Sequence, residues 1–141
     1  MRMMLGLIVA SHGDLAQELI KSSYLILGRQ EKVIAVTFEP AEDLATLEDK
    51  YETSLQQFAT TDRVLFLCDL YGGNPLLATR RFVKRDPKRF AAVGGVNLAM
   101  LLEACTLRTE ALSLAELAEK LISVGRQGIG SVKDLKVMPW M

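Results

Sequence analysis

The chain has 141 residues, seventeen basic and seventeen acidic side chains, no net formal charge, and half of its residues are hydrophobic. That length suits one domain over 1–141 with a core of its own; the charge balance argues against a nucleic-acid binder and the apolar content against a disordered chain. A single His excludes every mechanism or metal site that needs two, and Cys68 and Cys105, far apart in apolar stretches and in no CxxC, make no zinc set with it.

Residues 3–10 are a continuous apolar run, the pattern of a strand covered on both faces. At about eight residues, with no small-residue cleavage site, the run does not read as a signal peptide. It leads straight into the polar Ser11-His12-Gly13-Asp14. No segment approaches the roughly 20 apolar residues of a membrane helix, so a soluble, cytoplasmic protein is expected. A helix follows, with Asp14 as its cap and Gln17 three residues on in a capping-box arrangement. Leu15, Leu19 and Ile26, and Ala16, Ile20, Ser23 and Leu27, recur at helical spacing, and Gly28 ends the helix as a C-terminal glycine does.

Val33–Phe38 reads as a second strand. After Pro40, Leu44, Leu47, Tyr51, Leu55 and Phe58 form the apolar stripe of a second helix. Residues 63–69 are a third strand, apolar until Asp69. Tyr71-Gly72-Gly73-Asn74-Pro75 is a turn into a third helix over about 75–85. Residues 90–94 are a weaker fourth strand, and Asn97 caps a helix through about Leu107. Ser113 caps a further helix carrying Leu114, Leu117, Ala118, Leu121, Ile122 and Val124, which Gly125, Gly128 and Gly130 break. Residues 131–137 read as one last short strand. There is no repeat, low-complexity segment or linker.

Strands alternating with helices predict an α/β fold, a doubly wound and mainly parallel sheet. In the strand order 2-1-3-4, strands 1 and 3 are neighbours and the chain reverses direction between them; ligands bind outside the carboxyl ends of the strands at that point. The only His ends strand 1 and Asp69 ends strand 3, so the strand spacing brings them within hydrogen-bonding reach. A His paired with a carboxylate has a fixed tautomer and orientation, and its other ring nitrogen is free to act as nucleophile or base. Two helix starts, after Gly13 and after Asn74, offer N–H groups to an anion, and Gly72 and Gly73 let backbone approach it. Each feature has a plain reading, as a satisfied surface His, a turn Asp or a tight Gly-Gly turn. Their convergence at one switch point favours phosphoryl chemistry.

The single His then sorts mechanisms. Histidine phosphatases also place an HG near strand 1 but need a second His. No G-x-S-x-G elbow is present for a Ser hydrolase, and neither a Walker A Lys nor GxGxxG follows strand 1. What remains is a His that accepts and passes on a phosphoryl group.

At these residues the chain resembles the IIA domain of the mannose-family bacterial sugar phosphotransferase system (PTS). The resemblance runs through Ser11-His12-Gly13, Leu27-Gly28 and Phe38-Glu39-Pro40. Its most specific segment is Leu65-Phe66-Leu67-Cys68-Asp69-Leu70-Tyr71-Gly72-Gly73-Asn74-Pro75. It continues through Gly95-Val96-Asn97-Leu98-Ala99-Met100-Leu101 and Gly125-Arg126-Gln127-Gly128. The resemblance implies a carrier that takes a phosphoryl group from the phosphocarrier HPr on the ε2 nitrogen of His12. It implies that Asp69 holds the δ1 side and that the group passes to a IIB component serving membrane IIC and IID proteins. Backbone near Gly13, Gly72, Gly73 and Asn74 then binds the phosphate. The family turn often has Ser where this chain has Asn74, whose amide also donates. The resemblance further implies a homodimer exchanging a C-terminal strand, here 131–137. With the sequence ending at Met138-Pro139-Trp140-Met141, the IIB partner is expected on a separate chain. No metal or cofactor and no membrane insertion is expected.

Three alternatives stand beside this reading. The first is the phosphotransferase subunit of a dihydroxyacetone kinase system, against which the D-x-x-G-G-x-P turn speaks. The second is a regulatory module switched by phosphorylation of His12. The third is a plain anion or nucleotide binder of flavodoxin-like shape.

Overall fold

A computed structural model of the chain describes residues 4–136. Four strands, β1 Gly6–His12, β2 Val33–Phe38, β3 Val64–Cys68 and β4 Phe90–Gly94, form one sheet in the order β2-β1-β3-β4. All three pairings are parallel. The expected doubly wound sheet is therefore present, and β1 and β3 lie side by side as the switch point requires. Met3, at the start of the first apolar run, lies outside the described residues.

Among the described residues six helices connect and cover the strands: α1 Leu15–Leu27, α2 Leu44–Leu55, α3 Asn74–Leu77, α4 Arg80–Arg85, α5 Leu98–Leu107 and α6 Leu114–Gln127. The continuous apolar runs are explained by burial on both faces. Leu7, Val9, Leu65, Leu67 and Val93 pack with α1, α5 and α6. Ile8, Ala10, Val36, Phe66, Cys68 and Phe90 pack on the other face with Leu47, Tyr51 and Leu55 of α2 and with Phe82 of α4. Successive strand residues point to opposite faces, so the two sets alternate along each strand.

Helix ends match the sequence reading where the capping side chain acts on its own helix. Asn97 accepts from the Met100 amide at 3.0 Å. Ser113 accepts from Glu116 N, whose side chain accepts in return from Ser113 N, a complete capping box. Replacing Ser113 by Ala should lower stability by about 1 kcal/mol, read as a shift in the urea midpoint with an unchanged slope. Gly28 takes φ +77 and closes α1 through its amide to Tyr24 O. Asp14 is different: it makes no side-chain cap bond. The Ala16 amide is taken at 2.7 Å by Ser11 Oγ instead, so Gln17 completes no capping box.

The structure differs from the sequence reading at three more places. The helix expected over 75–85 is broken at residues 78–79, and the two parts are α3 and α4. Helix α6 runs through Gly125 and ends at Gly128. A Cβ on Gly125 would lie 2.8 Å from Met100 Cε, and one on Gly128 2.8 Å from Ala99 Cβ, so these glycines admit α5 rather than only ending a helix. Residues 131–136, expected as part of a strand, are exposed and hold one 3₁₀ turn, Val132–Asp134. Val137 and the Met138-Pro139-Trp140-Met141 end lie outside the described residues.

Candidate functional site

The parallel register places the site. His12 is the last residue of β1, opposite Phe38, the last of β2. On its other side Ala10 pairs with Cys68, and Asp69 follows β3 directly with its amide bonded to Ala10 O at 3.1 Å. Both polar side chains thus emerge where the apolar strands stop, at the carboxyl ends of neighbouring strands.

They meet there. Asp69 Oδ2 accepts from His12 Nδ1 at 2.8 Å and from the His12 amide at 2.9 Å, while Oδ1 accepts from the Leu70 amide at 2.9 Å. An ionised carboxylate only accepts, so Nδ1 carries the proton and the Nε2 lone pair is left free. The side chain of Asp69 is 9% exposed and that of His12 46%: the carboxylate is sheltered, the imidazole open to a partner. Phe38 braces the imidazole from β2 in an edge contact, with centroids 5.7 Å apart and planes at 84°.

Around this pair lie the four residues read from the sequence as phosphate-binding. Gly13 has φ +56 and Gly72 φ +86, left-handed conformations that a side chain would strain. The Gly13 amide donates to Phe38 O at 3.0 Å and the Gly73 amide to Leu70 O at 3.2 Å, so neither points an idle N–H at an anion. Gly73 lies close against the imidazole, since a Cβ there would sit 3.2 Å from His12 Cε1. Asn74 is exposed at the start of α3. Among the described residues its side chain, its amide and the amide of Gly72 have no hydrogen-bond partner.

Two residues of the site went unread in the sequence. Ser11 is fully buried; its hydroxyl donates to Gly13 O at 3.0 Å while accepting from Ala16 N. It fixes the turn that carries His12, and the signal was a hydroxyl residue just ahead of a helix. Phe38 stands in the sequence as the end of the second strand and part of Phe38-Glu39-Pro40, and equal strand ends in a parallel pair account for its contact with His12. The neighbouring Cys68 is buried, which pushes its thiol up to about 12, so it stays neutral and is no rival nucleophile. Among the described residues no group of His, Cys, Asp and Glu is arranged to hold a metal, and no helix is long and apolar enough to cross a membrane.

Fold and site together define an open parallel α/β protein with a carboxylate-held His at its switch point. Residues 6–122 match the family model described as EIIA-man, the PTS system fructose IIA component, and the chain belongs to this family of sugar-phosphotransferase IIA domains. It is 38% identical over 124 residues to the fructose-specific EIIA component of Bacillus subtilis (strain 168), covering 88% of this chain and 84% of that one. It is 37% identical over 137 residues to the mannose-specific EIIAB component of Escherichia coli (strain K12), covering 97% of this chain. The chain spans only 41% of the length of that relative. Among solved structures, the mannose/sorbose specific IIA subunit of Enterococcus faecalis aligns with TM-score 0.82 at 28% identity, covering 96% of this chain and 99% of that one. An EIIA component from Streptococcus agalactiae aligns with TM-score 0.83 at 26% identity, covering 94% of this chain and all of that one.

Proposed function

We propose that this protein is a cytoplasmic phosphoryl carrier that accepts a phosphoryl group from phospho-HPr on His12 Nε2. It then passes the group to a IIB component for coupled sugar uptake. The observation that carries this reading is the Nδ1–Asp69 bond at 2.8 Å, which orients the ring and leaves Nε2 as its nucleophile. In the first step the Nε2 lone pair forms a bond to phosphorus as the P–N bond of the donor phosphohistidine breaks, its electron pair returning to the donor imidazole. In the second, a nitrogen of the acceptor attacks phosphorus and the Nε2–P bond breaks. The charge on the His12 ring while it carries phosphate is balanced by Asp69, and catalysis is positioning and charge stabilisation.

The free donors divide the phosphate-binding work. The amides of Gly72 and Asn74 and the Asn74 side chain meet the phosphoryl oxygens. Gly13 and Gly73 act by leaving room, because their own amides are engaged. The family match favours this reading over the kinase-system subunit. Incubation with radiolabelled phospho-HPr should give an acid-labile, base-stable label that moves on to added IIB; a labelled protein that never discharges to IIB would leave only the regulatory module.

The carrier is further proposed to work as a homodimer. Strand β4 pairs only with β3 among the described residues. Beyond α6, Ile129, Val132 and Leu135 are 76%, 82% and 62% exposed. An exchanged C-terminal segment adding to the β4 edge covers both at once. Sedimentation equilibrium should give twice the chain mass, and the Val132→Asp, Leu135→Asp double variant should shift it toward one. A wild-type monomer at micromolar concentration contradicts the dimer.

A further inference from the structure

Between α3 and α4 the backbone leaves a carbonyl without its helical partner. The Thr79 amide, which a continuous helix would give to Pro75 O, bonds to Leu76 O at 3.0 Å, and the Ala78 amide bonds to Asn74 O at 2.9 Å. Pro75 is itself buried. Its carbonyl receives the hydroxyl of Tyr51, from α2, at 2.6 Å. Buried carbonyls need a donor, and among the described residues Tyr51 is the one that Pro75 O has.

Tyr51 suits the task. It is fully buried, and its ring is wedged edge-on against Phe66 at 4.9 Å and Phe82 at 6.0 Å. The hydroxyl therefore has little freedom to follow Pro75 if the turn shifts. Burial, then Cys68 and Asp69, push its ionisation far above the ordinary range, so it stays a neutral donor. The thiol of Cys68, 4.0 Å from the hydroxyl oxygen, is too distant for more than a weak contact.

The anchored segment is the turn of the candidate site. At its other end Asp69 is bonded to Ala10 O and to His12, and Gly73 in the middle lies against the imidazole. The Gly72 and Asn74 amides sit between these two fixed points. We infer that Tyr51, buried beneath the site, is a positioning residue for phosphoryl transfer, whose hydroxyl holds Pro75 and sets the Gly72 and Asn74 amides against His12. The inference rests on the phosphocarrier reading for the identity of the anion, and on the Tyr51–Pro75 bond for the rest.

The Tyr51→Phe protein tests it, since the ring packing is kept and only the hydroxyl removed. Single-turnover transfer from phospho-HPr at saturation should slow about tenfold, the worth of one buried hydrogen bond, while the KM for phospho-HPr stays unchanged. A merely structural loss is controlled with Phe90→Leu, which disturbs the same cluster through Phe66 and Phe82 rather than at Tyr51 and should leave saturated transfer within about twofold. Amide NMR of unphosphorylated Tyr51→Phe should show displaced Gly72 and Asn74 signals with faster hydrogen exchange. Unmoved amide signals, a saturated rate equal to wild type, or an equal slowing in Phe90→Leu each overturn the inference. A wild-type protein that takes no label defeats the phosphocarrier reading instead, and the amide signals then still decide whether Tyr51 holds the turn.

Discussion

The His12→Ala protein is expected to take no label from radiolabelled phospho-HPr under conditions where wild type is fully labelled, a loss of about four orders of magnitude or more. The size follows from the count of one. No second imidazole exists anywhere in the chain to receive the group, and the nearby thiol of Cys68 is buried and pushed up to about 12. The fold should survive the change, because the His12 side chain is 46% exposed and belongs to neither apolar cluster. An unchanged urea midpoint, to within about 1 kcal/mol, is the accompanying control. Label persisting on His12→Ala would place the phosphoryl group elsewhere and end the phosphocarrier reading. Stability of the wild-type label in base and loss in acid identify an N–P bond rather than a phosphoester. Imidazole NMR adds an unambiguous check, since the one His gives one set of ring signals.

How much of this was legible in the sequence depends on how far each feature reaches through space. The central strands β1 and β3 were legible because burial on both faces makes them apolar nearly throughout, while β2 and β4 at the edges are only partly buried; 90–94 still matches β4 to the residue. The meeting of His12 and Asp69 was legible because parallel neighbours bring their carboxyl ends to one edge of the sheet; β1 runs two residues past the Ala10–Cys68 pair and Asp69 follows β3 directly. Caps were legible when the side chain serves its own helix, as at Asn97 and Ser113, and not when Ser11, still in the strand, takes the amide expected for Asp14. The break between α3 and α4 was hidden because its stabilising donor is Tyr51, twenty-four residues upstream. Tyr51 was read correctly as core by its spacing, but spacing says nothing about where a buried hydroxyl points. Hydrophobic spacing also overcounted: Leu15 and Ile26 fall on the stripe assigned to α1 yet are 49% and 55% exposed. A stripe wider than the contact surface leaves its margins in solvent.

The second large effect belongs to Asp69→Asn. The carboxylate accepts from the His12 amide, His12 Nδ1 and the Leu70 amide. Asparagine has nearly the same shape, but one of its two terminal atoms is a donor. If its oxygen stays on His12, its NH2 faces the Leu70 amide, donor against donor; if it flips, Nδ1–H and the His12 amide lose their acceptor. Only the flipped arrangement releases the Nδ1–H tautomer, but in both the phosphorylated ring loses its counter-charge. Because the Asp69 side chain is only 9% exposed, water does little to replace what is lost, unlike the case of an exposed ion pair. Transfer from phospho-HPr should fall about 100-fold in the saturated rate with little change in KM, since the sheltered carboxylate adds little to the exposed surface. Discharge to IIB should also change, because the same carboxylate supports the ring in both half-reactions. Phosphorus NMR offers a qualitative mark: where the amide flips and releases Nδ1, part of the remaining label should appear on that nitrogen, whereas wild type should carry it on Nε2 alone. A saturated rate within about twofold of wild type would remove Asp69 from the chemistry and leave it a loop anchor, its side chain accepting from the His12 and Leu70 amides.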